Sequence, residues 1–368
     1  MTLVSKVTTI SLLNSLVVIC CYALPSALAW LPRAPLATPP SARSSLWFRN
    51  DDPPGEDPPT TMDVAPSSLV RSVNYFISRK CNYSCQFCFH TMKTSHHLPL
   101  DQAQEGLRLL QQAGTEKINF AGGEPFILPL QLGELCKTAS QELGMAVSII
   151  SNGSLISEEW MAYYGQYVDV LGVSVDSFCD ETNAKIGRGE TINTKDSNKQ
   201  IKKNQHVDRI LKVREMCDKH NIRFKMNTVV NSYNWEEDMI DQVRQLDPCR
   251  WKVFQVLLLD QENMGNEQSL RDARPLVVSD DQFQSFVQRH QPHFPQLVPE
   301  DNSAMQNSYL LLDEDLRFLD CSTGAKIPGE SILDVGVYPA LAQAGFDHDM
   351  FHLRGGVYDW KRERDLKG

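Results

Sequence analysis

Basic residues are in the minority in this chain: 36 Lys and Arg stand against 46 Asp and Glu, a formal net charge of −10 over 368 residues. That balance excludes broad coating of nucleic acid, which needs a basic footprint. It leaves room for one small anionic ligand, because a few lysines aimed into a pocket hardly change the total. Long apolar runs are scarce as well. The run of note, ISLLNSLVVICCYAL, falls short of the roughly 20 residues that span a bilayer comfortably. A disulfide framework is also missing, since such frameworks mark shorter, cysteine-dense secreted chains. The ten cysteines comprise Cys20 and Cys21 in the apolar run, three packed into residues 81–88, and the singles Cys136, Cys179, Cys217, Cys249 and Cys321. One tight cluster with scattered singles points to metal binding and reduced core thiols.

What is present reads as a folded α/β chain with a long leader. Hydrophobic residues make up 42% and charged residues 22%, enough to bury an active site. Residues 1–30 carry Lys6, the apolar run and Ala27-Leu28-Ala29, a small-x-small cleavage pattern. They read as a targeting or anchor segment: a cleaved signal, an uncleaved anchor that associates the protein with the endoplasmic reticulum membrane, or the first half of a plastid signal. The stretch that follows is rich in Ser, Pro and Arg with no acidic residue before Asp51, as in transit peptides. Residues 31–68 as a whole read as a disordered linker.

From Leu69 short β-rich runs alternate with amphipathic ones. Strands are expected at 72–78, 117–120, 146–151, 168–175, 223–230 and 251–259. Helices are expected at 100–112, 130–143, 157–164, 207–220, 235–245 and 280–289. Six βα units predict a partial (βα)6 barrel over 69–291, with its chemistry at the C-terminal ends of the strands. Glu190–Lys203 reads as a mobile polar loop. Residues 292–368 show no clear βα alternation and read as a C-terminal extension that caps the substrate.

Cys81, Cys85 and Cys88 form C-x₃-C-x₂-C on the loop after the first strand. Three protein thiolates leave one iron of a four-iron cubane open. An open iron can chelate the amine and carboxylate of S-adenosylmethionine, whose sulfonium then accepts an electron. Phe87, before the third cysteine, would shield such a cluster from water. A structural zinc site needs four closed ligands, and His90 is a tight fit as the fourth. Three buried structural cysteines are the bland alternative.

The cysteine spacing, the aromatic before the last Cys and Gly122-Gly123-Glu124-Pro125 after the second strand together resemble radical S-adenosylmethionine enzymes. That resemblance implies cofactor contacts from Phe87, Gly122, Gly123, Glu124, Asn152, Ser174 and Arg188. Asp176 closes the same set of strand ends. The strings CNYSCQFCFHTMKTS, EKINFAGGEPF, SIISNGSLI, SYLLLDEDLRFL and SILDVGV are similar to the viperin-like branch of that superfamily. Its members convert CTP to 3′-deoxy-3′,4′-didehydro-CTP in antiviral defence. The resemblance implies triphosphate-binding roles for Asn74, Lys117, Lys225, Asn227, Arg250, Lys252, Tyr309 and Lys326. It also implies two protein partners, an electron donor and the iron–sulfur assembly machinery. Lys225 with Asn227, and Arg250 with Lys252, alternate to one strand face. Charged pairs on interior strands call for an anion nearby, whereas on edge strands they would be solvated. Arg354-Gly355-Gly356 lies in a tail that the resemblance implies folds over the nucleotide.

Some features depart from that family. Ala121 stands where a serine is expected, Glu190–Lys203 looks inserted, and the end at DLKG lacks the terminal tryptophan. His90 reads as a satisfied loop histidine with a role near the cluster as the sharper alternative, and Asp313 and Asp315 as surface charges. Two other functions compete: a radical enzyme acting on another nucleotide, a peptide or a cofactor, and a membrane-associated adaptor. Cys249 and Cys321, the only cysteines beyond Cys217, are too few for another cluster's ligand set, which lowers the peptide reading.

Overall fold

The computed structural model describes residues 70–189 and 206–362. The expectations for the N-terminal 69 residues and for the loop at 190–203 lie outside them. Within the described part, a two-residue alternation builds the sheet. It runs along β1 (Ser72–Phe76), β2 (Lys117–Ala121), β3 (Ala146–Ser151), β4 (Val170–Ser174), β5 (Arg223–Val230) and β6 (Arg250–Gln255). One face carries Val73, Tyr75, Ile118, Phe120, Val147 and Ile149, each at most 1% exposed in the main hydrophobic core. The other face carries Asn74, Asn119, Ser148, Lys225 and Lys252, so the lumen is polar where the outer face is oily.

All six strands run parallel in chain order, as the alternation predicts. The C-terminal region then adds strands to both sides. β7 (Leu297–Glu300) pairs parallel with β6, and β8 (Leu310–Leu312) returns to pair parallel with β1. β9 (Arg317–Asp320) and β10 (Ile327–Ser331) extend that edge antiparallel. The protein is a mixed α/β fold: the partial barrel of the expected kind plus C-terminal antiparallel strands. The four added strands are 3 to 5 residues long, too short for alternation to stand out in sequence.

Helix α1 (Leu100–Gln112) spans the expected residues and buries Ala103, Gly106, Leu107 and Leu110. Gly106 is needed there, since a Cβ would sit 2.4 Å from a Leu316 methyl. α2 (Pro129–Lys137) gives way to a π turn at Thr138–Glu142, where one helix was expected. α3 (Glu158–Tyr164) is capped by Ser157, whose hydroxyl accepts from the Trp160 amide at 3.2 Å. α4 (Asp180–Lys185), α5 (His206–Lys219), α6 (Ile240–Leu246) and α7 (Asp280–His290) complete the outer layer.

Two expected boundaries move for visible reasons. The helix expected from Trp235 begins only at Ile240. Asn231 and Asn234 turn the chain first: the Asn231 amide donates to Asn234 Oδ1 at 2.7 Å and the Tyr233 amide to Asn231 Oδ1 at 3.0 Å. The strand expected to run to 259 stops at Gln255. Beyond it, Asn263 donates to the Leu257 carbonyl at 2.9 Å and accepts from the Leu259 amide at 2.8 Å, so that backbone bonds to a side chain instead of a ladder. Among the described residues no helix is long and apolar enough to cross a membrane.

Candidate active site

The C-terminal ends of β1 to β4 meet around the loop that carries the three thiols. Cys81, Cys85 and Cys88 are free of disulfides. Burial pushes the Cys81 thiol up to about 12 and Cys85 to about 11, with Cys88 raised for the same reason. Without iron they are neutral, so loading metal must displace protons. Among the described residues no three His, Cys, Asp or Glu side chains are close enough to share one ion. Three free thiols on one loop are the donor set of a cubane that keeps one iron open.

The Gly-Gly-Glu-Pro turn packs backbone against backbone on the entry to this loop. The Gly123 amide donates to the Ser78 carbonyl at 2.8 Å, and the Glu124 amide to the Lys80 carbonyl at 2.7 Å. A Cβ on Gly123 would lie 2.0 Å from the Lys80 oxygen. At Gly122, with φ of +140°, it would lie 2.3 Å from the Ser78 oxygen. The close approach that requires these glycines is therefore to the thiol loop itself.

Glu124 faces the protein. Its carboxylate accepts from the Ser151 hydroxyl at 2.8 Å, the Asn152 amide at 2.7 Å and the Phe126 amide at 3.1 Å. Burial raises its carboxyl to about 7 against these donors. Asn152 in turn donates to Asn82, inside the thiol loop, at 2.9 Å. Arg188 is buried, ion-paired with Asp176, and lies 5.7 Å from the Phe87 ring centre. The Ser174 carbonyl meets the buried His206 ring at 3.1 Å.

The opposite ends of the strands form a cationic floor. Lys117 opens β2, Arg250 opens β6, and Lys225 and Lys252 stand on the lumen face of β5 and β6. Both β5 and β6 are paired on two sides, so neither is an edge strand. Lys225 and Lys252 are 7% and 4% exposed. Burial, with Arg250, Arg354 and Arg223 nearby, holds the Lys117 ammonium down at about 7. Burial holds Lys225 at about 8 and lowers Lys252 as well, although Glu300 pulls Lys252 back. Tyr309 and Lys252 both bond Glu300, and Arg354 lies 3.6 Å from it.

The chain's last described segment closes this end. The Lys117 ammonium donates to the Tyr358 hydroxyl at 3.1 Å, Arg250 donates to the Gly355 carbonyl at 3.0 Å, and the Arg250 guanidinium lies 4.3 Å from the Tyr358 ring centre. Along the lumen, Asn119 Oδ1, Ser148 Oγ, Asn227 Oδ1 and Arg250 Nε are buried with no hydrogen-bond partner in the protein. Orphaned polar atoms on one lumen face mark space that a polar ligand would satisfy. Phe76, Ala121 and Leu319 form a small apolar patch on the way to the thiols.

Residues 75–246 match the model of the Radical SAM superfamily. Over 306 residues the chain is 52% identical to the S-adenosylmethionine-dependent nucleotide dehydratase RSAD2 of Danio rerio, spanning 82% of this chain and 81% of that protein. The chain belongs to the viperin family of nucleotide dehydratases. A relative from Flammeovirga pacifica, named S-adenosylmethionine-dependent nucleotide dehydratase, is 34% identical over 81% of this chain and 99% of its own. The structure of native anSMEcpe with bound AdoMet shares the fold at 16% identity, with a TM-score of 0.52 over 77% of this chain and 82% of that one. As a radical SAM enzyme, a viperin-family protein works with a [4Fe–4S] cluster and S-adenosylmethionine.

Lys326 reaches the thiol loop from the C-terminal extension. Its buried ammonium lies 3.1 Å from Glu262 and 2.8 Å from His90 Nδ1, beside the thiol loop. His90 is fully buried with its ring 4.2 Å from that of Phe76. Asp313 is buried and paired with Arg317 at 2.7 Å, whereas Asp315 stays partly exposed. Asn74 bonds the Leu310 carbonyl at 3.2 Å and Asn119 at 2.6 Å, which ties β1 to β8 and β2. Asn119, Ser148 and Glu300 escaped notice in the sequence because single polar residues in short apolar runs carry no pattern. Arg354 was visible there only as a neighbour of the tail glycines.

Proposed function

We propose that this viperin-family dehydratase acts on CTP and forms 3′-deoxy-3′,4′-didehydro-CTP. The observation that carries the reading is the charge inventory of the lumen. Lys117, Lys225, Arg250, Lys252 and Arg354 gather there around one carboxylate, Glu300. Like charges buried together cost stability unless an anion joins them, and a triphosphate supplies several negative charges in one chain of atoms. In this reading Asn74, Asn227 and Tyr309 orient the nucleotide with Arg250 and Lys252, and the apolar patch of Phe76, Ala121 and Leu319 lies beside its nucleoside.

Cys81, Cys85 and Cys88 hold the cluster in this proposal, with Phe87 shielding it. The backbone at Gly122 and Gly123 and the groups at Asn152, Ser174 and Arg188 line the S-adenosylmethionine site. Glu124 keeps the ends of β2 and β3 in place for it. When bound, the cluster and S-adenosylmethionine would supply hydrogen abstraction at the ribose 4′-position, and one electron from the external donor would complete the product after the 3′-hydroxyl leaves as water. The residues around it bind, orient and exclude water, so that the 3′-hydroxyl leaves from a fixed ribose.

The test is anaerobic reconstitution followed by dithionite, S-adenosylmethionine and each nucleoside triphosphate in turn, with mass spectrometry of products. CTP should give 5′-deoxyadenosine together with a product lighter by one water. A faster reaction with another triphosphate would replace CTP as the substrate.

A further inference from the structure

The loop after β6 reaches the thiol loop from a side that the proposed reaction does not use. Between β1 and α1 the chain runs from Ile77 to Pro99 without a helix or strand. Regular backbone bonding therefore does not set the positions of the thiols. The first part of that loop is held by the Gly-Gly-Glu-Pro turn and by the Gln86 amide, which donates to the Ile186 carbonyl at 3.0 Å. The part around Cys88 is held differently.

Glu262 is 2% exposed and commits both carboxylate oxygens to the flanks of the thiols. Oε2 accepts from the Thr91 amide at 2.9 Å and from the Thr91 hydroxyl at 2.6 Å. Oε1 accepts from Arg79 at 2.9 Å and pairs with Lys326 at 3.1 Å. The next residue, Asn263, is fully buried and donates from Nδ2 to the Phe87 carbonyl at 3.2 Å. Two consecutive side chains thus grip the loop just before Cys81, next to Cys88 and just after it. Glu314 adds a tie from the C-terminal extension, accepting from Arg79 at 3.1 Å and from Thr94 at 3.1 Å. Burying such a carboxylate is expensive unless every bond is made. Both oxygens of Glu262 are bonded, which fixes one geometry around it, whereas Glu314 Oε2 has no hydrogen-bond partner.

We propose that Glu262, assisted by Asn263, is a positioning residue that fixes the Cys88 arm of the loop so that three thiolates can hold the cluster. The proposal rests on the reading that Cys81, Cys85 and Cys88 bind it. Glu262 acts through Thr91 and Arg79, and Asn263 through the Phe87 backbone.

The experiment compares the wild-type protein with Glu262→Gln, Thr91→Val and Cys81→Ala after anaerobic reconstitution. It reads iron per chain, the rate at which a chelator strips the iron, and the electron paramagnetic resonance spectrum after reduction. Glu262→Gln should keep its circular dichroism yet lose iron roughly tenfold faster, the scale seen when an outer partner of a metal ligand is removed. Its spectrum should shift. Thr91→Val should move the same way by less, and Cys81→Ala should hold no cluster. Wild-type stripping rates and spectra in Glu262→Gln and Thr91→Val, with Cys81→Ala empty, overturn the positioning role alone. Full iron in Cys81→Ala overturns the thiol assignment beneath it. If Glu262→Gln does not fold, Thr91→Val decides, because it removes one hydroxyl and leaves the backbone bond.

Discussion

Lys225 and Arg250 are register partners on adjacent interior strands, and both face the lumen. Like charges set side by side oppose folding. Glu300 offsets part of their cost and a bound anion more of it, so stability and binding should trade against each other here. Lys225→Met should raise the melting temperature by about 2–4 °C, as expected for about 1 kcal/mol in a domain of this size. It should also weaken triphosphate binding by about tenfold or more. Calorimetry of the free protein and titration with CTP check the two halves separately.

The depressed lysines give binding a pH signature. Lys117 is held at about 7 and Lys225 at about 8, so raising the pH through these values neutralises them in the free protein. A bound polyanion favours the charged forms and raises both. Binding at pH 8 should therefore take up protons, and affinity should fall from pH 7 to pH 9. Titration calorimetry in buffers of different ionisation enthalpy measures the uptake directly. Zero uptake at pH 8 would remove these lysines from the phosphate site.

Gly123 has a backbone neighbour where a side chain would go. With the Lys80 oxygen 2.0 Å from the site of a Cβ, Gly123→Ala must push the thiol loop aside. Overpacking of this sort costs about 1–3 kcal/mol. Urea unfolding should show that loss, and reconstituted Gly123→Ala should carry less than half the wild-type iron.

Tyr358 caps the floor by stacking on cations. Tyr358→Leu keeps an apolar plug but loses the ring over Arg250 and the hydroxyl on Lys117. Each such contact is worth about 0.5–2 kcal/mol. The nucleotide KM should rise several-fold while iron content and chelator resistance stay unchanged.

The six parallel strands were legible because each repeats the two-residue alternation and is followed by an amphipathic run. The paired cations on β5 and β6 were legible for the same reason. Register turns Lys225 with Asn227 and Arg250 with Lys252 into one charged face. The C-terminal strands were not legible, since Leu310–Leu312 is merely three leucines until β1 supplies its partner. The partners of Lys326 were not legible, because sequence reveals a lysine but not which carboxylate meets it. The mate here, Glu262, lies on a different loop. The Gly-Gly-Glu-Pro motif made Glu124 legible as a site residue, but not the bonds its carboxylate accepts from Ser151, Asn152 and Phe126, which lie on the next strand end and turn.

The pairing of β8 with β1 has a temporal consequence. Val73 waits for Leu310 as its neighbour, so the strand bearing the thiol loop stays half-zipped until most of the chain has left the ribosome. Contacts this remote in sequence form late and slowly. A nascent chain stalled before Leu310 exposes that edge, and a donor loading iron during synthesis meets a loop whose far wall does not yet exist.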